Sequence, residues 1–157
     1  MVSSNSLHAG WITDNISFKT KIESPACPDG ASGTALVVID MQPFFVTRGK
    51  VHDNLTNKEK VEKLIAKQLE AINVAMQARI PIIFIEYYDV NSNTNEILKD
   101  AIKNYNQAHF IQKDADGMLD AKNPFREDLI DFLKYSKIKT LIITGANGND
   151  YVKRSII

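Results

Sequence analysis

Three short stretches of the chain are apolar almost without interruption: Ala35-Leu-Val-Val-Ile39, Ile82-Ile-Phe-Ile85 and Thr140-Leu-Ile-Ile-Thr144. Each is short and rich in β-branched residues. Runs that are apolar on both faces predict central strands of a parallel sheet covered by helices on either side. His109-Phe-Ile-Gln112 reads as a shorter extended piece. Between these runs the period changes. Thr56-x-x-Glu59 has the form of a capping box, and Val61, Leu64, Ile65, Leu69, Ile72 and Met76 make one apolar stripe at helical spacing. Pro81 punctuates the entry to the second strand. A weaker helix is predicted over about 95–105, with Ile97, Leu98 and Ile102 facing inward. Pro124 fits the first turn of another, whose inward face is Phe125, Leu129, Phe132 and Leu133. The order βαβαβαβ predicts an α/β fold with an open, mostly parallel sheet.

Residues 1–33 read differently, as an N-terminal arm ahead of a domain spanning 34–157. The arm is rich in Ser, Asn, Gly and Pro and ends in a loop composition. Within it Ile16, Phe18, Thr20 and Ile22 alternate with Ser17, Lys19 and Lys21, the period of a half-buried strand; a mobile tail is the other reading.

Composition narrows the function. A chain of 157 residues suits one domain, and 19 Lys+Arg against 19 Asp+Glu leave no net charge. No net field draws it to nucleic acid or to an anionic membrane. No apolar run approaches the roughly 20 residues of a membrane span, and the N-terminus does not read as a secretory signal. A single cysteine, Cys27, excludes an intramolecular disulfide and any multi-cysteine metal site. These features predict a cytoplasmic protein.

Ligands of open parallel sheets bind at the carboxyl ends of the strands, where strand order reverses. That places four segments at the expected site: Asp40-Met-Gln42, Glu86-Tyr-Tyr-Asp89, Lys113, and Gly145 to Tyr151. Asp40 ends an apolar strand, where partial desolvation raises a carboxyl pKa and suits it to proton transfer. Lys113 could stand across the same crevice and pair with it. The plainer alternative is that Asp40 caps the next turn while Lys113 is a solvated surface residue.

Thr34-Ala-Leu-Val-Val-Ile-Asp-Met-Gln-Pro-Phe-Phe45 closely resembles the first strand and catalytic-Asp motif of the isochorismatase-like cysteine hydrolases. Pro81-Ile-Ile-Phe-Ile resembles their second strand and Ile111-Gln-Lys113 the strand carrying the family lysine. Thr140-Leu-Ile-Ile-Thr-Gly-Ala-Asn-Gly-Asn-Asp-Tyr-Val152 resembles the fourth strand and nucleophile turn. The resemblance implies a three-layer αβα fold with a Rossmann-like sheet and a triad of Asp, Lys and Cys. In it the thiolate attacks a small amide carbon, and backbone N–H groups hold the oxyanion.

Asp40 and Lys113 match two members of that triad, but Tyr151 stands at the nucleophile position. A phenol, with its pKa near 10, is a far poorer nucleophile than a thiolate. Members that hydrolyse isochorismate, a vinyl ether, do not need the Cys, and their first motif also resembles Asp40-Met-Gln-x-Phe-Phe. The resemblance therefore implies a family hydrolase that is atypical or impaired, or a catalytically silent member that binds a metabolite or protein partner. Gln42, Phe45, Tyr87, Ala146 and Asn147 are expected to contact the substrate.

The resemblance also implies strands beyond the nucleophile turn, so the domain reads as truncated after its fourth core strand. An uncovered fourth strand then predicts a homo-oligomer. No cofactor or metal is expected. His8, His52 and His109 do not fall into the Asp-x-His arrangement of metal-holding relatives, and Asp114, Asp116 and Asp120 lack the full calcium-loop spacing, reading instead as a solvated loop.

Overall fold

The computed structural model describes residues 33–48, 57–88, 90, 93–146, 152, 153 and 155. Its elements follow in the order β1 (Thr34–Ile39), α1 (Pro43–Arg48), α2 (Asn57–Gln77), β2 (Ile82–Tyr87), α3 (Glu96–Ile102), β3 (Ala108–Lys113), α4 (Arg126–Tyr135) and β4 (Thr140–Gly145). All four strands are parallel and lie in the order β3-β2-β1-β4. The predicted α/β architecture is thus the observed one. The proposed strand at Ile16–Ile22 and the capping residue Thr56 lie outside the described residues.

Alternation along β1 and β2 divides the core into two layers. Leu36, Val38, Ile82 and Phe84 face α1, α2 and α3, meeting Val46, Ile65, Ile72, Ala75, Leu98 and Ile102. Ala35, Val37, Ile39, Ile83 and Ile85 face the opposite way, onto Leu129 and Phe132 of α4 and onto Met118. Strands buried on both faces explain why, after Thr34, β1 and β2 carry no polar residue until their carboxyl ends. Asp40 and Glu86 mark those ends, and both are buried.

Three expectations need correction. Ile97 is 54% exposed, whereas Leu98 and Ile102 are buried. Residues four apart share a helix face, and Ile97 is rotated about 100° off it. The helix expected to begin at Pro124 starts instead at Arg126, with Phe125 as its N-cap. Although it reads as a central strand, β4 is the last in the sheet order among the described residues, and Ile142 is 52% exposed. The chain also forms α1, which periodicity did not suggest. Its first residue is Pro43, whose fixed φ suits that position, and its first turn closes when the N–H groups of Phe45 and Val46 donate to Gln42 O.

Candidate functional site

Strand order reverses between β1 and β4, because β2 and β3 extend the sheet on one side of β1 and β4 on the other. The crevice at that point is built first by a backbone irregularity. Asp40 has φ +56°, in the left-handed region that costs a non-glycine residue about 1 kcal/mol or more. Its N–H still donates to Ile85 O at 3.0 Å, so the strand pairing lasts through Asp40 while the left-handed turn breaks the alternation of side chains.

On the other flank, Gly145 has φ +150°, and Ala146 N donates to Ile39 O at 3.0 Å. A Cβ on Gly145 would sit 2.1 Å from that same Ile39 O. Only glycine lets β4 close this tightly on the residue before Asp40.

Lys113 ends β3 and has Tyr87 as its partner in register on β2. Its Nζ lies 2.9 Å from Asp40 Oδ2, with both side chains 0% exposed. Nζ also donates to Asp116 O at 3.1 Å and lies 5.7 Å from the centre of the Tyr87 ring. The contact with Asp40 is a fully buried ion pair. Burial pushes the Asp40 carboxyl above its ordinary 3.8. The Lys113 ammonium pulls against that rise, and the charge of Asp116 adds to it. An acid held in this way can keep a proton nearer neutrality than a solvated carboxylate does, and can return it to a bound molecule.

The residues expected at the site are only partly brought together. Phe45 is half-buried and meets the Tyr87 ring edge-on at 6.0 Å between centroids. Ala146 is buried beside Ile39. Gln42 is buried too, with its amide bonded to the main chain of Tyr87. Asn147, Asp89 and Tyr151 lie outside the described residues, as do Cys27, His8 and His52. His109 packs against the Phe132 ring, 4.6 Å between centroids, as a half-buried residue of the sheet's α4 side. Among the described residues no group of His, Cys, Asp or Glu is placed to hold a metal ion.

Sequence reasoning missed the turn over 114–125. Asp114, Asp116 and Asp120 are exposed, as expected of a solvated loop, while the main-chain carbonyl of Asp116 accepts from Lys113 Nζ. Asn123 organises that turn: its Oδ1 accepts from Asp114 N and Phe125 N, and its Nδ2 donates to Met118 O. Met118 N in turn donates to the buried Ser155 Oγ, tying the turn to the segment after β4. The signal available was Asn123-Pro124, a pair that favours turn initiation.

Comparison with known proteins agrees with this arrangement. No curated protein matches the chain in sequence. Among solved structures, a nicotinamidase from Staphylococcus aureus superposes with a TM-score of 0.60 at 18% identity, over 79% of this chain and 72% of that one. An isochorismatase from Pseudomonas putida gives 0.57 at 14% identity, over 90% and 69%. A ribonuclease from Caenorhabditis elegans gives 0.57 at 20%, over 80% of this chain and 56% of that one. Identities this low establish a shared fold, and three proteins named for different reactions show that the fold alone names no substrate. The isochorismatase domain matches residues 34–152, which run from the first residue of β1 past the turn after β4. With that match laid over the same sheet and the same strand ends, the chain belongs to the isochorismatase family.

Proposed function

We propose that the protein is a family hydrolase acting on a small molecule through Asp40 and Lys113, with its thiol chemistry lost because Tyr151 stands at the nucleophile position. The observation that carries this reading is the fully buried Asp40–Lys113 pair at the strand-order reversal. The chemistry it suits is acid catalysis. For a vinyl ether, the Asp40 acid would protonate the terminal alkene carbon, and water would add to the resulting oxocarbenium carbon. One proton of that water would return to Asp40 as the hemiketal forms, and the hemiketal would collapse to a ketone as its hydroxyl proton passes to the departing alcohol oxygen. Lys113 would stabilise the carboxylate that exists between the two transfers. Phe45, Tyr87 and Ala146 would contact the substrate there.

A silent member that binds a metabolite or a protein partner is the second reading, favoured by the bulky phenol at position 151. Turnover assays on isochorismate and on small amides such as nicotinamide separate the two. Hydrolysis of the vinyl ether that disappears in Asp40→Asn supports the acid mechanism; binding without turnover of either class supports the silent reading. We further propose a cytoplasmic homo-oligomer, on the grounds of the balanced charge and the exposed Ile142 of β4.

A further inference from the structure

β1 and β2 part company just after Asp40. Their ladder runs as far as the register pair Ile39 and Ile85, and its last bond is Asp40 N to Ile85 O. The β1 chain then turns away through Asp40 into α1, while β2 continues to Tyr87. The main chain of Tyr87 therefore extends past the end of its neighbour.

Gln42 fills that gap. Tyr87 N donates to its Oε1 at 2.7 Å, and its Nε2 donates to Tyr87 O at 3.0 Å. The residue is 1% exposed. A primary amide offers one acceptor and one donor side by side, as a peptide group on an adjoining strand would. The side chain thus takes the place of the missing strand.

We infer that Gln42 is a positioning residue, one that fixes Asp40 against Lys113 by clamping Tyr87 between them. Each link is direct. Gln42 is two residues from Asp40 on the same turn, and its amide holds Tyr87. Tyr87 is the register partner of Lys113, and its ring lies 5.7 Å from the Lys113 ammonium. Tyr88 N, next in the chain, donates to Lys113 O at 2.8 Å. Without the amide, the main chain of Tyr87 keeps its pairing with β3 but loses two hydrogen bonds to the turn that carries the carboxylate. The inference takes from the proposed function only that this pair is the centre of the site.

The experiment reads the pair with no substrate, so its failure would leave the hydrolase proposal standing. The Asp40 carboxyl carbon is titrated by NMR in the full chain, in the parent protein and in Gln42→Met. That variant keeps the length and removes both bonds. Loosening the clamp changes both forces on Asp40: water entering the site lowers the midpoint toward 3.8, and withdrawal of the Lys113 ammonium raises it, so a shift of about half a pH unit or more is expected. Val46→Ala, which hollows the same helix away from the pair, is expected to lower thermal stability and leave the midpoint in place. Gln42→Asn, one methylene too short to reach, gives the same reading should the Met variant not fold. An unchanged midpoint in a folded Gln42 variant, or an equal shift in Val46→Ala, would overturn the inference.

Discussion

Asp40 and Lys113 stand on strands that are not neighbours: β2 runs between them, yet Nζ and Oδ2 are 2.9 Å apart. Two strand spacings are about 10 Å, so the contact needs a long side chain from β3 and a left-handed turn at β1 that swings the carboxylate toward it. Lys113 crosses beside the Tyr87 ring to make the contact.

Removing one charge leaves the other buried, which typically costs about 3–5 kcal/mol in a pair of this kind. Lys113→Met is expected to fall near the lower end, because Asp40 can accept a proton instead. Urea unfolding at neutral pH measures it. Lys113→Arg is expected not to restore stability, since a planar guanidinium has no room where the ammonium is fully enclosed. Parent-like stability in either variant would show that the pair is not an energetic keystone.

The pH dependence follows from the direction of the Asp40 shift. Its carboxyl is raised above 3.8 in the folded protein, so the folded state holds this proton where the unfolded state has released it. The stability this group contributes is complete below 3.8 and is lost as pH rises through the folded value. Comparing the parent with Asp40→Asn isolates it: the parent's advantage is expected to shrink as pH rises through that window and to level off above it. An advantage that grows with pH would mean the carboxyl is depressed instead.

Gly145→Ala should be among the most damaging small substitutions in the chain. The added methyl would meet Ile39 O at 2.1 Å and Ile39 N at 2.8 Å, both main-chain atoms that cannot yield without parting β4 from β1. A loss of about 3–5 kcal/mol is expected, the range of severe backbone and packing defects. Thermal or urea unfolding tests it.

Thiol chemistry should be absent from the parent protein. Nicotinamide and similar amides are expected to show no turnover that an alkylating agent abolishes, whereas Tyr151→Cys is expected to gain covalent labelling by an electrophilic amide analogue, dependent on Asp40. Alkylator-sensitive turnover that vanishes in Cys27→Ala would defeat the first expectation. Labelling of Tyr151→Cys no stronger than in the parent would defeat the second.

Self-association through β4 is expected to depend on Ile142, which is half exposed beside the sheet's outer edge. Ile142→Lys places a charge there, a device that blunts strand edges. Light scattering is expected to show a dimer or larger assembly for the parent and a smaller mass for the variant. A parent that runs as a monomer would end the oligomer proposal.

The strands were legible because β1 and β2 are buried on both faces, which leaves an unbroken apolar signature, and each ran within two residues of its expected end. The Asp40–Lys113 contact of the candidate site was legible where a polar residue interrupted such a run: Asp40 after Ile39, Lys113 after Ile111 and Gln112. What hydrophobic pattern cannot carry is the direction a side chain takes once the backbone leaves the regular strand. Gln42 was expected at the substrate because it follows Asp40, and only its two bonds to Tyr87 reveal what its amide holds. Asp116 was hidden for a related reason: its main-chain carbonyl accepts from Lys113. A backbone contact of that kind has no residue type to announce it.

The placement of β1 inside the sheet has a consequence for how the chain is made. Thr34, the first residue of β1, pairs with Thr140, so the strand that presents Asp40 emerges from the ribosome roughly a hundred residues before one of its two neighbours exists. Until then its inner edge is satisfied by β2 alone and its outer edge is bare. Parallel pairings this distant close slowly, and an apolar strand waiting with one edge open is a target for adhesion to other nascent chains. Production of this protein in folded form should therefore depend on the speed of synthesis and on chaperones far more than its modest size would suggest.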